Sequence, residues 1–378
     1  MYSSRNELFV ISGLIVMTLT VLALSMKYSM AMFFYDPYTF FRQALDISQG
    51  SGWMYNPFIL FISFVIKIYP YSDGLLLYAR YINLIFAAQL VVFMYLLARK
   101  MFNRLYSFFV ACFALFLPLI HAFALQLHND VFAAAMGFTA VYFITKQGLR
   151  NMITGFFFIL IACATRPDYS IILSIPFGLT VAAWYTRSMP FKSKIAATSM
   201  IVIIILAMGY IFFKDYYRSG TRFGVIDRIS LSLRDYLVVT VWKNSISVSD
   251  SDILNAAFWL IILVGIILLI AVNYKKLLKI TKFKSFTPKE AEMTALFLTI
   301  GFVVALFSVV VFHNQYTIVN GVINIDPNIA LRYYIPVQLF LIFGFVFAIS
   351  NLTLRNITSL WNLILQINNS RSAGKHPD

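Results

Sequence analysis

Long apolar runs recur along this chain, and they leave few folds open to it. A helix needs roughly 20 apolar residues to cross a hydrocarbon core about 30 Å thick. Runs near that length occur at 8–30, 80–98, 106–126, 131–145, 151–164, 169–186, 195–213, 253–273, 292–312 and 333–350. Of the 378 residues 61% are hydrophobic and only 12% charged, too few for the polar surface of a soluble domain. The expected fold is all-α and integral to a membrane, a polytopic bundle of about ten transmembrane helices. The first run ends in Met32-Phe33-Phe34 without a small-residue cleavage site, so it reads as an uncleaved span. Cys112 and Cys163 sit inside apolar runs, which favours packing thiols over a disulfide or a metal site.

Charge sets the orientation. With the N-terminus inside, the cytoplasmic segments hold Arg99, Lys100 and Arg104, then Lys146 and Arg150, then Arg187, Lys192 and Lys194. The next inner segment holds Lys275, Lys276, Lys279, Lys282, Lys284 and Lys289. Of the 15 acidic residues, only Glu7, Glu290, Glu292 and Asp378 fall inside. The net charge of +15 is thus a matter of topology and anionic headgroups, and nucleic acid is not an expected partner. Residues 55–69 are apolar but short, contain Lys67 and are bracketed by Pro57 and Pro70. As a span they would invert every later loop and put the Lys-rich 275–289 segment outside, so an interfacial helix in the first outer loop is expected. The layout is then a transmembrane domain over 1–350 and a short cytoplasmic tail over 351–378. Its outer loops are 31–79, 126–130, 165–168, 214–252 and 313–332.

The outer loops carry the polar residues of interest. Asp36 follows the first span almost at once, with Pro37 suited to a helix start and Arg42 six residues on, read as near the same helix face. Ionisable groups at a membrane boundary are usually functional, although Asp36 also suits a helix cap. The second outer loop is Gln126-Leu127-His128-Asn129-Asp130, and its Asp130 is either a cap for the next helix or a second carboxylate beside Asp36. Two such carboxylates suit general-base work or a divalent cation that holds a phosphate. In the third turn Arg166 and Asp168 flank Pro167 and can pair with each other. The 214–252 loop gathers Arg218, Arg222 and further basic residues, as an anionic-headgroup site or a solvated surface helix. Arg332 opens the last span, placed either to bind phosphate or to snorkel.

These residues together resemble the GT-C superfamily of membrane glycosyltransferases, which use polyprenyl-phosphate-linked sugars. The acidic residue after the first span is Asp36. The stretch DPYTFFRQA, Asp36 to Ala44, is similar to the corresponding part of oligosaccharyltransferase catalytic subunits. The run from Arg80 to Phe102 resembles the family's second span. TRPD (Thr165 to Asp168) and RYYIP (Arg332 to Pro336) resemble outer-face turns of the protein-mannosyltransferase and aminoarabinose-transferase branches.

The resemblance implies that Asp36 is the base that takes the acceptor's proton, with the sugar transferred from the polyprenyl phosphate with inversion. By position, Asp130 matches a second acidic residue that helps hold a divalent cation in oligosaccharyltransferases. Asp36 and Asp130 would thus be metal ligands, to Mg or Mn, only if the enzyme is metal-dependent. Arg42, His128, Arg166, Arg218, Arg222 and Arg332 are the substrate-binding candidates. The implied partners are the lipid-linked donor, membrane lipids and a glycan, lipid or protein acceptor, at the cell membrane or, in a eukaryote, the ER membrane. The chain departs from both branches: it has no adjacent Trp pair, and Pro37 stands where protein-mannosyltransferases have Glu. A transporter or flippase for lipid-linked sugars and a polysaccharide polymerase or ligase are the alternatives. The first should show internal repeats with broken mid-membrane helices, and the second key Arg and His residues in late loops.

Overall fold

The computed structural model describes residues 4–28, 35–51, 56–68, 75–146, 148–166, 169, 172–178, 199–200, 290–312, 316–319, 322–325, 335–347 and 349–350. Eleven helices are numbered here along those residues. They are α1 (Ser4–Tyr28), α2 (Tyr35–Ser48), α3 (Pro57–Ile68), α4 (Leu75–Met101), α5 (Arg104–Phe116), α6 (Pro118–Ala124), α7 (Asn129–Ile144) and α8 (Leu149–Thr165). The short α9 covers 172–178, α10 is Glu290–Phe312 and α11 is Ile335–Phe347. Strands β1 (Tyr316–Val319) and β2 (Val322–Ile325) pair antiparallel, Val319 opposite Val322. The expected spans at 195–213 and 253–273 fall outside the described residues, apart from 199–200.

Local chemistry sets several boundaries. Asn56 caps α3 by accepting from the Phe58 N–H at 3.0 Å, and Pro57 takes the first helical position, where its missing N–H costs nothing. Asn103 caps α5 in the same way, accepting from Tyr106 N–H. The expected single span over 106–126 is two helices. Pro118 has no N–H to continue α5, so Leu117 turns extended and α6 begins afresh. Helix α3 has 12 residues, about 18 Å at 1.5 Å per residue, short of a full crossing.

Helix α7 is the axis of the bundle. Every residue from Asn129 to Val141 is buried, so it is apolar all round rather than on one stripe. Close approach of α8 comes from Gly155: a Cβ there would stand 2.6 Å from Ile144 Cγ1 and 3.0 Å from the Ala140 carbonyl. Helix α4 packs on α7 with the same chain direction, fixed by polar contacts at three levels. At one end Asn83 Nδ2 donates to the His128 carbonyl, 2.9 Å. Midway Gln89 donates to Thr139 Oγ1, 3.0 Å. At the other end Lys100 donates to the Tyr142 carbonyl and to Thr145 Oγ1, at 2.9 and 2.8 Å.

The Lys100 end gathers further charge. Glu7 on α1 accepts from Tyr95 Oη (2.7 Å) and Arg99 Nε (3.1 Å), and pairs with Arg104 at 3.5 Å. Glu290, at the start of α10, lies 3.9 Å from Lys100 Nζ. Asn83 and Lys100 are 17 residues apart on one continuous helix, which separates the two polar ends by about 26 Å. Between them the outer surface is apolar: Phe9, Val16, Ile85, Phe116, Phe157 and Val303 are each more than half exposed. Two of the described helices, Asn6–Met26 and Tyr81–Met101, are long and apolar enough to cross a membrane.

Candidate functional site

At the Asn83 end the chain brings together residues from three separated segments. Helix α7 starts after an extended His128, and Asp130 lies in its first turn, where the helix dipole favours a negative charge. Helix α8 ends at Thr165, and Arg166 follows it as the C-cap residue. Because α7 and α8 are antiparallel, the start of one meets the end of the other. Arg166 Nη1 stands 2.9 Å from Asp130 Oδ1, with the two side chains only 9% and 5% exposed. The second oxygen, Oδ2, faces His128 Nδ1.

Asparagine amides brace the pair. The Thr165 carbonyl, unpaired within its own helix, accepts from Asn56 Nδ2 and Asn129 Nδ2, each at 3.3 Å. Aromatic rings enclose the imidazole, with Phe123 centred 4.9 Å and Phe40 5.8 Å from it. Phe40 belongs to α2, and a chain of rings continues from it through Phe58 on α3 to Phe132 on α7.

That contact brings α2 to the site. Asp36 precedes Phe40 by one helical turn and shares its face of α2, in register with the fully buried Ala44 one turn further on. Phe40 thus ties α2, whose first turn holds Asp36, to His128; the side chain of Asp36 lies outside the described residues. Arg42 is placed otherwise than expected. Six residues turn a helix by about 600°, which puts Arg42 well off the face of Asp36, and it is exposed. Arg218, Arg222 and Arg332 lie outside the described residues, as does Asp168. Arg166 reaches across to Asp130, and the expected pairing with Asp168 lies outside the described residues.

The geometry also revises Asp130. A carboxylate held against a guanidinium has its charge compensated. No group of three or more His, Cys, Asp or Glu that could hold a metal ion occurs among the described residues. The described ion partner of Asp130 is Arg166, and the expected pairing of Asp36 with Asp130 around a cation lies outside the described residues.

Asn83, Asn56 and Asn129 were not among the expected site residues. A lone Asn inside the apolar run RYINLIF is a visible signal, since a polar amide in such a run needs internal partners. The chain matches no family model and no curated protein.

Proposed function

We propose that the chain is a multi-pass membrane glycosyltransferase that moves a sugar from a polyprenyl-phosphate-linked donor to an acceptor on the outer face. The observation that supports this reading best is the packing of Phe40 against His128. It ties α2, the helix that bears Asp36, to the residue next to the buried Asp130–Arg166 pair. Two polar ends about 26 Å apart, with exposed apolar side chains between them, suit a body immersed in lipid. Arg166 and Glu290 lie at opposite ends, which agrees with an odd number of crossings between them.

In this mechanism Asp36 accepts the proton of the acceptor hydroxyl or amide. The acceptor atom attacks the anomeric carbon from the face opposite the phosphate, the carbon–oxygen bond to phosphate breaks, and polyprenyl phosphate leaves with that electron pair. The sugar is inverted. Asp130, Arg166 and His128 form the fixed polar floor, a preorganised set that needs no rearrangement during transfer. Arg218, Arg222 and Arg332 are the groups assigned to the departing phosphate.

The test is transfer by purified protein supplied with polyprenyl-phosphate sugars and candidate acceptors. Asp36→Asn should abolish transfer while donor binding is retained, and normal transfer by this variant would refute the base assignment. Movement of the donor across sealed vesicles without any transfer would favour the transporter reading instead.

A further inference from the structure

Resting on the reading of the Asn83 end as the transfer site, we propose that Asn83 is a positioning residue. Its amide clamps the 125–128 turn to α4 and so fixes the place of His128 and Asp130. Asn83 is fully buried within α4. Its Nδ2 donates to the carbonyls of Gln126 and His128 (2.9 Å for the latter), with the Phe123 carbonyl at 3.4 Å sharing a hydrogen. One amide nitrogen has two hydrogens, so this side chain spends its whole donor capacity on the turn.

The backbone bonds of the turn include Leu125 N–H to the His121 carbonyl at 3.2 Å, Gln126 N–H to the Phe123 carbonyl at 3.4 Å and His128 N–H to the Gln126 carbonyl at 2.9 Å. A carbonyl oxygen has two lone pairs, and Asn83 adds side-chain donors from a rigid helix to the carbonyls of Gln126 and His128, the first of which already accepts the His128 N–H. Polar residues that merely tolerate burial in this bundle behave differently. Ser107 and Thr294 donate to the carbonyl four residues back along the chain. Asn83 reaches out of its helix to the carbonyls that lead into the site. The arrangement is repeated on the other side of the ion pair, where Asn56 and Asn129 hold the Thr165 carbonyl next to Arg166.

The experiment compares wild type, Asn83→Leu and Asn83→His in lipid nanodiscs by amide hydrogen exchange, with transfer kinetics on the same samples. In Asn83→Leu, exchange over 123–131 should rise roughly ten- to hundredfold through loss of two hydrogen bonds. Exchange over 95–104, at the far polar end, should not change. The kcat should fall by a similar factor with donor KM unaltered. Asn83→His keeps one N–H donor and should recover part of both effects. Unchanged exchange over 123–131 would overturn the proposal, as would opening of both ends together or local opening with kcat intact. If the wild type transfers no sugar yet the local opening occurs, the clamp stands and the transfer reading falls.

Discussion

Replacing Arg166 with methionine removes the guanidinium 2.9 Å from Asp130 while keeping much of the side-chain volume. At an effective dielectric constant of about 20, unit charges roughly 3 Å apart attract by about 5–6 kcal/mol. The desolvation already borne by a carboxylate only 5% exposed is not recovered when its partner is lost. Breaking buried pairs from one side generally costs about 3–5 kcal/mol. Here His128 remains as a second neighbour of the carboxylate, so the lower end, about 3 kcal/mol, is expected. Asp130→Asn combined with Arg166→Met removes both charges and should cost less than the two single changes summed, by about 2 kcal/mol. Unfolding in mixed micelles by SDS titration measures this, with a thiol-reactive fluorogenic dye reporting the half-buried Cys112 and Cys163 as the fold opens. Strict additivity of the single variants, or a cost below about 1 kcal/mol for Arg166→Met, would refute a buried, coupled pair.

Gly155→Ala forces a methyl group to 3.0 Å from the Ala140 carbonyl and should destabilise by about 1–3 kcal/mol. Gly13→Ala meets nothing within 4 Å and serves as its control in the same SDS titration. Glu7→Gln weakens the links of α1 to Tyr95 and Arg99 and should lower stability by about 1–2 kcal/mol. Tyr95→Phe should add less than its separate cost to that variant, because the two share one hydrogen bond. A topology reporter fused after residue 284 should score cytoplasmic, and an outside score would mean that 55–69 crosses the membrane.

The helices that follow the apolar pattern were legible because length and hydropathy are local properties. Helices α1, α4, α7, α8, α10 and α11 lie within or close to the runs read from the sequence. What was missed depends on detail or on distance. Pro118 sits in the middle of an apolar run, and hydropathy alone passes over the break it causes. The β1–β2 hairpin was signalled by Asn320-Gly321 between two alternating segments, a pair favoured in two-residue hairpin turns, yet the loop was read only by its length. Arg42 was placed by proximity instead of helical phase. One partner of Arg166, Asp130, lies 36 residues earlier in the chain, across an antiparallel helix pair that no local pattern specifies. The cluster was therefore half legible: His128, Asp130 and Arg166 stood out at the boundaries, while Asn83 was hidden inside a span and Asn56 and Asn129 lay in loops read for their charged residues.

The spacing of the polar levels on α4 also bears on the kind of bilayer that suits this fold. About 26 Å between Asn83 and Lys100 is shorter than the average hydrocarbon thickness of about 30 Å. Both residues are tied to α7, so α4 cannot slide to relieve the difference, and the pair must tilt together or draw the lipid thinner around them. Hydrophobic mismatch would then load the two ends of the helix pair directly, including the turn that carries His128. On the proposed membrane reading, acyl-chain length becomes a mechanical variable, with short-chain lipids relaxing the cluster at the Asn83 end and long-chain lipids pulling on it.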